Sequence, residues 1–93
     1  MPAETAVASV DICNARGLHA RASAKFVQTV ERFDADVTVT RCGETVGGRS
    51  IMGLLTLGAA QGTSITVTAK GVDATACLQA IDDLLANKFG EGE

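Results

Sequence analysis

The spacing of hydrophobic residues changes several times along this chain, and these changes restrict the folds that it can form. In the segment AVASVDIC, Val10 and Ile12 alternate with small or polar residues, which is typical of a half-buried strand. From Ala20 to Phe33 the apolar residues recur at helical spacing, which indicates an amphipathic helix that ends near Asp34. The chain therefore begins with a strand followed by a helix.

The middle of the chain returns to alternation. The segment ADVTVTR predicts a second strand, CG a turn and ETVGG a short return strand, so together they predict a hairpin. Ser50 precedes an apolar run bounded by glycines, and we predict that it is the N-cap of a short helix. The segment TSITVTAKG then predicts a strand with Ile65, Val67 and Ala69 on one side.

The last periodic segment, DATACLQAIDDLLANK, predicts a helix with Asp73 at its N-cap and Lys88 at its C-terminal end. Its apolar stripe consists of Cys77, Leu78, Ile81, Leu84 and Leu85. We expect the chain to fray at residues 1–5 and again at residues 89–93, which read FGEGE.

The predicted order of elements is strand, helix, strand, strand, short helix, strand and helix. Each strand has one hydrophobic face, so the simplest way to bury these faces is to cover one side of a single sheet with helices. We therefore expect an α+β fold, a two-layer open-faced sandwich with a four-stranded, mainly antiparallel sheet covered on one face by three helices. The length of 93 residues predicts one domain, 1–93.

Composition argues against several classes of function. The formal net charge of −3 argues against non-specific nucleic-acid binding, which requires a basic surface. The longest apolar stretch, IMGLLTLGAA, is too short to span a bilayer, and the first residues lack the basic region of a secretion signal. Cys13, Cys42 and Cys77 are odd in number and far apart, so neither a disulfide framework nor a metal site is indicated. We expect a cytoplasmic protein without membrane insertion, metal or cofactor.

His19 is the only histidine of the chain, and the pattern places it at the start of the first helix. Backbone amides and the macrodipole make a helix N-terminus attractive to anions such as phosphate. A neutral imidazole nitrogen is also a nucleophile. Arg21 in the first turn, with Arg16 and Lys25 near by, could bind the oxygens of a phosphoryl group. From the residues alone, an unreactive surface or capping histidine beside a solvated basic face stays open as the alternative.

Two features of the segment that follows the hairpin also suggest function. GETVGGRS, residues 43–50, has the spacing of a phosphate-binding P-loop, but Arg49 stands where lysine is required and no acidic Walker-B-type strand end follows. We therefore do not predict a nucleotide site. The helix after Ser50 carries more apolar residues than one buried face can hide, so we expect some of them, Ile51 and Met52 among them, to form an exposed docking surface.

The segment GLHARASAKFV, followed about thirty residues later by SIMGLLTLGAAQG in this order of elements, resembles the HPr family of histidine-containing phosphocarriers and its NPr relatives, from the bacterial phosphoenolpyruvate-dependent phosphotransferase system. The resemblance runs from about Ala6 to Leu85. It implies a relay rather than an enzyme with turnover: His19 accepts a phosphoryl group on Nδ1 from phosphorylated Enzyme I and donates it to an EIIA-type acceptor.

The resemblance also implies roles for other residues. Arg21 would stabilise the phosphate, and Ser50 would be the serine that an HPr kinase/phosphorylase marks in organisms that have one. We expect a monomer that docks on its partners through Ala20, Lys25, Arg49, Ile51, Met52 and Leu55. Ala22 replaces the proline that most members carry, which leaves a sugar-branch or a nitrogen-branch role open. A small α+β interaction module in which His19 is structural is the rival hypothesis.

Overall fold

The computed structural model describes residues 4–90. Four strands and three α-helices follow one another in the order β1-α1-β2-β3-α2-β4-α3, and a single 3₁₀ turn, Lys88–Gly90, comes after the last helix. The elements are β1 (Glu4–Asp11), α1 (Ala20–Val30), β2 (Asp36–Arg41), β3 (Glu44–Gly47), α2 (Ile51–Thr56), β4 (Ser64–Gly71) and α3 (Ala74–Ala86). This order of elements is the predicted one.

The four strands form one antiparallel sheet in the order β1-β4-β2-β3. Strand β4 lies in the centre, where Val67 pairs with Ala8 of β1 and with Val39 of β2. The hairpin between β2 and β3 is closed by Cys42 and Gly43, which both have positive φ angles, as a two-residue hairpin turn requires. The predicted open-faced α+β sandwich is confirmed.

The core lies between one face of the sheet and the helices. Ile65, Val67 and Ala69 of β4 are buried, as their alternation predicted. Along α3, Cys77, Ile81 and Leu85 are buried, while the stripe's other two members, Leu78 and Leu84, lie at its half-buried edge. The core is largely aliphatic, because two phenylalanines, Phe26 and Phe89, are its only fully buried aromatic side chains within residues 4–90.

Two helix boundaries differ from the prediction. Helix α1 ends at Val30, and the chain then continues as tighter turns in which Phe33 N–H donates to the Val30 carbonyl. Asp73 is the residue before α3, but its side chain does not cap that helix. Its Oδ2 instead accepts a hydrogen bond of 2.7 Å from the Asp34 backbone N–H, so the carboxylate joins the ends of two distant segments. Helix α3 ends at Ala86, before Lys88.

The two ends predicted to fray, 1–5 and 89–93, lie only in part among the described residues, and that prediction stays open. Glu4 and Thr5 belong to β1 and pair with Gly71 and Lys70. At the other end, Phe89 is only 1% exposed, although its φ of 56° is unfavourable for a residue with a side chain. Burying a phenylalanine contributes about 1.5–3 kcal/mol, which offsets the roughly 1–2 kcal/mol cost of a left-handed backbone. The remaining positions, 1–3 and 91–93, lie outside the described residues.

A candidate active site around His19

The loop between β1 and α1 contains a tight turn that is held at both ends. Gly17 N–H donates to the Asn14 carbonyl at 3.2 Å, and the buried Asn14 side chain donates from Nδ2 to the Gly17 carbonyl at 2.7 Å. Asparagine suits this role because its short amide can bond to the backbone of a turn that it begins. The backbone of residues 14–17 is therefore fixed just before His19.

Gly17 brings this turn against the segment that connects α2 to β4. Its φ is +67°, and a Cβ added at this position would lie 2.4 Å from the Ala59 carbonyl oxygen. The next residue, Leu18, donates its N–H to the same carbonyl at 2.8 Å. Because only glycine satisfies both the backbone angle and the close approach, Gly17 determines how the His19 loop docks.

His19 is the N-cap residue of α1, as predicted. Its backbone is extended, and its carbonyl accepts the first helical hydrogen bond from Ser23 N–H at 2.8 Å. No side chain caps this helix, and the first turn contains no acidic residue. The imidazole is half-buried. The positive end of the helix dipole is therefore presented beside the ring without a carboxylate to neutralise it.

The imidazole borders a shallow cleft of about 290 Å³ between the loop and α2. Arg16 and His19 are the polar side chains of this cleft, and the rest of its lining is small or apolar: Leu18, Leu55, Gly58, Ala59 and Ala60. An anion that entered the cleft would meet a guanidinium, an imidazole and a helix N-terminus. The arrangement can therefore bind an anionic group directly against a nucleophilic nitrogen.

The predicted site residues do not all gather at this cleft. Ala20 and Arg21 lie exposed in the first turn of α1, next to His19. Lys25, one turn further on, donates its ammonium to the Phe89 carbonyl. Arg49 points towards the other end of α1, where Nη2 is 3.5 Å from the Phe33 carbonyl. The side chains of Lys25 and Arg49 therefore bond to backbone carbonyls of this chain, and neither residue is among those that line the His19 cleft.

Helix α2 has the predicted features at both ends. Ser50 is its N-cap, and its Oγ accepts a hydrogen bond of 3.0 Å from Gly53 N–H. Ile51 and Met52 are exposed at 39% and 71%, whereas Leu55 turns towards the His19 cleft. A six-residue helix is about 9 Å long, so Ser50 stands roughly that far from the end that meets the cleft.

The segment that resembles a P-loop is not a phosphate cradle. Residues Glu44–Gly47 form β3 and pair with β2, so the backbone is extended and does not wrap around a central point. Among residues 4–90 there is also no group of three His, Cys, Asp or Glu residues that could hold a metal ion. Burial raises the pKa of the Cys77 thiol, which makes this cysteine an unreactive core residue.

Sequence reasoning missed the contact between Gly17 and Ala59, because nothing in the local pattern shows which distant backbone a glycine meets. It also missed the role of Asn14, although the spacing of Asn14 and Gly17 is a turn signal that could have revealed it. Nothing in the sequence indicated that Ala59 and Ala60 line the cleft beside His19, as they do in the structure.

The fold and the cleft define a class of protein: a small α+β domain that presents an imidazole at an uncapped helix N-terminus, next to an exposed apolar surface. A family model described as "PTS HPr component phosphorylation site" matches residues 7–87. The chain therefore belongs to the HPr family of phosphocarriers of the phosphotransferase system, and its general function is that of a phosphoryl carrier. Between residues 4 and 90 there is no helix long and apolar enough to cross a membrane.

Individual relatives agree with this family. Phosphocarrier protein HPr of Neisseria meningitidis serogroup A is 48% identical over 85 residues, which are 91% of this chain and 96% of the relative. Phosphocarrier protein NPr of Shewanella violacea is 43% identical over 82 residues, 88% of this chain and 90% of the relative. A crystal structure of an HPr from Thermoanaerobacter tengcongensis superimposes with a TM-score of 0.88 at 38% identity, covering 92% of this chain and 97% of the other.

Proposed function

We propose that His19 is the phosphoryl acceptor of this carrier and that Nδ1 is the atom phosphorylated. The observation that carries the proposal is the position of His19, at the uncapped N-terminus of α1 and on the edge of a cleft that also contains Arg16. An incoming phosphoryl group there would interact with the backbone amides of the first turn and with the helix dipole. Both interactions stabilise the added negative charge.

The transfer needs no cofactor. The lone pair of Nδ1 attacks phosphorus, and the bond between phosphorus and the donor atom breaks with its electron pair returning to the donor. Arg21 lies in the first turn, and helical side chains point back towards the N-terminus, so its guanidinium can reach the phosphoryl oxygens from the helix side. The protein is a carrier rather than an enzyme, since it is itself modified and returns to its starting state only by donating the group.

The proposed donor is phosphorylated Enzyme I, and the proposed recipient is an EIIA-type domain. Both would dock on the surface formed by Ile51, Met52 and Leu55. Leu55 lines the cleft, and Ile51 and Met52 are exposed beside it on the same helix. A partner that covers this surface would also exclude water from the phosphoryl group during transfer. Ala20 is exposed next to His19, while Lys25 and Arg49 would have to leave their present carbonyl partners to contribute.

Ser50 is proposed as a regulatory phosphorylation site for an HPr kinase/phosphorylase, where the cell contains one. The residue is exposed, and a phosphate at a helix N-cap could still accept the Gly53 N–H. Its added charge would lie next to Ile51 and Met52, on the proposed docking surface. The proposed carrier acts as a cytoplasmic monomer.

The test is to incubate the protein with Enzyme I and phosphoenolpyruvate and to measure its intact mass. The proposal expects the gain of one phosphate that is lost in acid, as phosphohistidine is, and that is absent from His19→Ala. A stable gain on another residue, or no gain at all, would contradict it. In the second case the chain would have to be treated as an interaction module with a structural histidine.

A further inference from the structure

Arg16 holds a fixed place beside His19. It is the third residue of the turn in which Gly17 N–H donates to the Asn14 carbonyl, and the Asn14 side chain locks the same turn. The next two residues, Gly17 and Leu18, are held against the segment between α2 and β4, because Leu18 N–H donates to the Ala59 carbonyl. The Cα of Arg16 is therefore positioned by the fold at the edge of the cleft, and only its side chain has to adjust to meet a group bound there.

Hydrogen bonding distinguishes Arg16 from three of the seven other basic residues of the chain. Lys25, Arg41 and Arg49 each donate to a backbone carbonyl, of Phe89, Leu57 and Phe33 respectively. Arg16 makes no hydrogen bond or ion pair to another residue in the part of the chain that the structure describes, and its side chain is exposed. It is also the one guanidinium among the residues that line the His19 cleft. Its charge is thus available to a group that enters from solvent.

We propose that Arg16 is a second phosphate-binding residue, which contacts the phosphoryl group from the loop side of the cleft while Arg21 contacts it from the helix side. This inference rests on the proposed role of His19. The two arginines approach from different elements, so together they could bind different oxygens of one phosphoryl group. Neither the apolar wall of the cleft nor the helix N-terminus supplies a full positive charge.

Arg16 would contribute by stabilising the negative charge of the phosphoryl group during its transfer. As the bond from phosphorus to the donor breaks and the bond to His19 Nδ1 forms, negative charge is spread over the three peripheral oxygens of the phosphoryl group. A guanidinium next to these oxygens stabilises the transition state and the phosphorylated product. Arg16 takes no proton and forms no covalent bond, and it acts by hydrogen bonding and charge alone.

The experiment must separate a contact with phosphate from a contact with a partner protein. Phosphoramidate is a small phosphoryl donor that carries no docking surface, so its reaction with the protein reports on the site alone. We would measure the rate of phosphorylation by intact mass for the wild type, Arg16→Gln, Arg16→Lys and Arg21→Gln. Arg32→Gln removes the same charge at the far end of α1 and serves as the matched control. Thermal melts check that all variants are folded.

We expect Arg16→Gln to react roughly tenfold more slowly than the wild type, because one charge-assisted hydrogen bond is lost. Arg16→Lys should recover part of the rate, and Arg32→Gln should react like the wild type. Equal rates for Arg16→Gln and the wild type would overturn the inference and leave the function of His19 intact. Failure of the wild type to form phosphohistidine with either phosphoramidate or Enzyme I would overturn both, so the two failures are distinguishable.

Discussion

Helices α1 and α2 begin in opposite ways. The N-terminus of α2 is closed by its own residue, because Ser50 Oγ accepts the Gly53 N–H. The N-terminus of α1 has no side-chain cap, although His19 occupies the corresponding position. A good N-cap contributes about 1 kcal/mol, so α1 begins without a stabilising contact that α2 has. In the proposed function an external anion binds at the start of α1, while the start of α2 is stabilised by its own residue.

The two N-termini are also held in place differently. Ser50 acts within three residues of itself, so its effect is local. The α1 N-terminus depends on the turn of residues 14–17 just before it and on the contact of Gly17 with the Ala59 carbonyl, which belongs to a distant part of the chain. These tertiary contacts place the imidazole at the edge of the cleft. A local cap such as Ser50 could not do this, because it acts only on its own helix.

The largest expected effect is that of His19→Ala. Phosphoryl acceptance should fall to background, because the proposed acceptor atom is gone. The free energy of unfolding should change by no more than about 1 kcal/mol, since this side chain does not cap α1. Intact mass after incubation with Enzyme I and phosphoenolpyruvate, together with urea unfolding, checks both statements. A loss of stability as severe as the loss of acceptance would show that His19 is structural.

Gly17→Ala should be the most destabilising of these substitutions. The new Cβ would collide with the Ala59 carbonyl, and the alanine would also have to adopt the left-handed backbone that Gly17 has. We expect the free energy of unfolding to fall by about 2–4 kcal/mol, and urea unfolding measures this change. Gly43→Ala is the matched control, because Gly43 has a positive φ but nothing within 4 Å of its Cβ position. Equal losses in the two variants would mean that the docking of the His19 loop is not what Gly17 provides.

Ser50→Asp should separate stability from partner binding. The aspartate can accept the Gly53 N–H and is favoured by the helix dipole, so the melting temperature should hold. Binding to Enzyme I should weaken about tenfold or more, because the new charge lies beside Ile51 and Met52 on the proposed docking surface. Isothermal titration of both proteins with Enzyme I measures the change. Unchanged affinity would place the docking surface elsewhere.

Ser50→Ala should show the reverse behaviour. Loss of the Gly53 N–H contact should lower the free energy of unfolding by about 1 kcal/mol. Binding to Enzyme I should stay near that of the wild type, because no charge is added. A thermal melt and the same titration test this, and weakened binding would indicate that the hydroxyl itself contacts the partner.

Ala22→Pro should have the smallest effect. Ala22 lies in the first turn of α1, before Ser23 makes the first helical hydrogen bond, so proline removes no bond of the helix. Stability should change by less than about 1 kcal/mol in either direction: proline restricts the unfolded chain, but Ala22 is fully buried and the ring must fit among its neighbours. A drop of several degrees in melting temperature would mean that this packed position cannot accept the ring.

Much of this molecule was predictable because the relevant physics is local. Alternation and helical spacing placed all four strands and all three helices, since a residue's side of a strand or helix depends only on its position in that element. Ser50 was identified as a cap for the same reason, because its acceptor and the Gly53 N–H are three residues apart. The position of His19 at the start of α1 also followed from the local pattern.

The tertiary structure decided the contacts between distant segments. Lys25 bonds to Phe89, 64 residues away, and Asp73 bonds to Asp34 rather than to its own helix. The same is true of the cleft, which Arg16 and His19 line together with the distant Leu55. A charged side chain in the sequence has many possible acceptors, and the one that it binds depends on which backbone groups the packed core brings within about 3 Å. Spacing along the chain carries no such information.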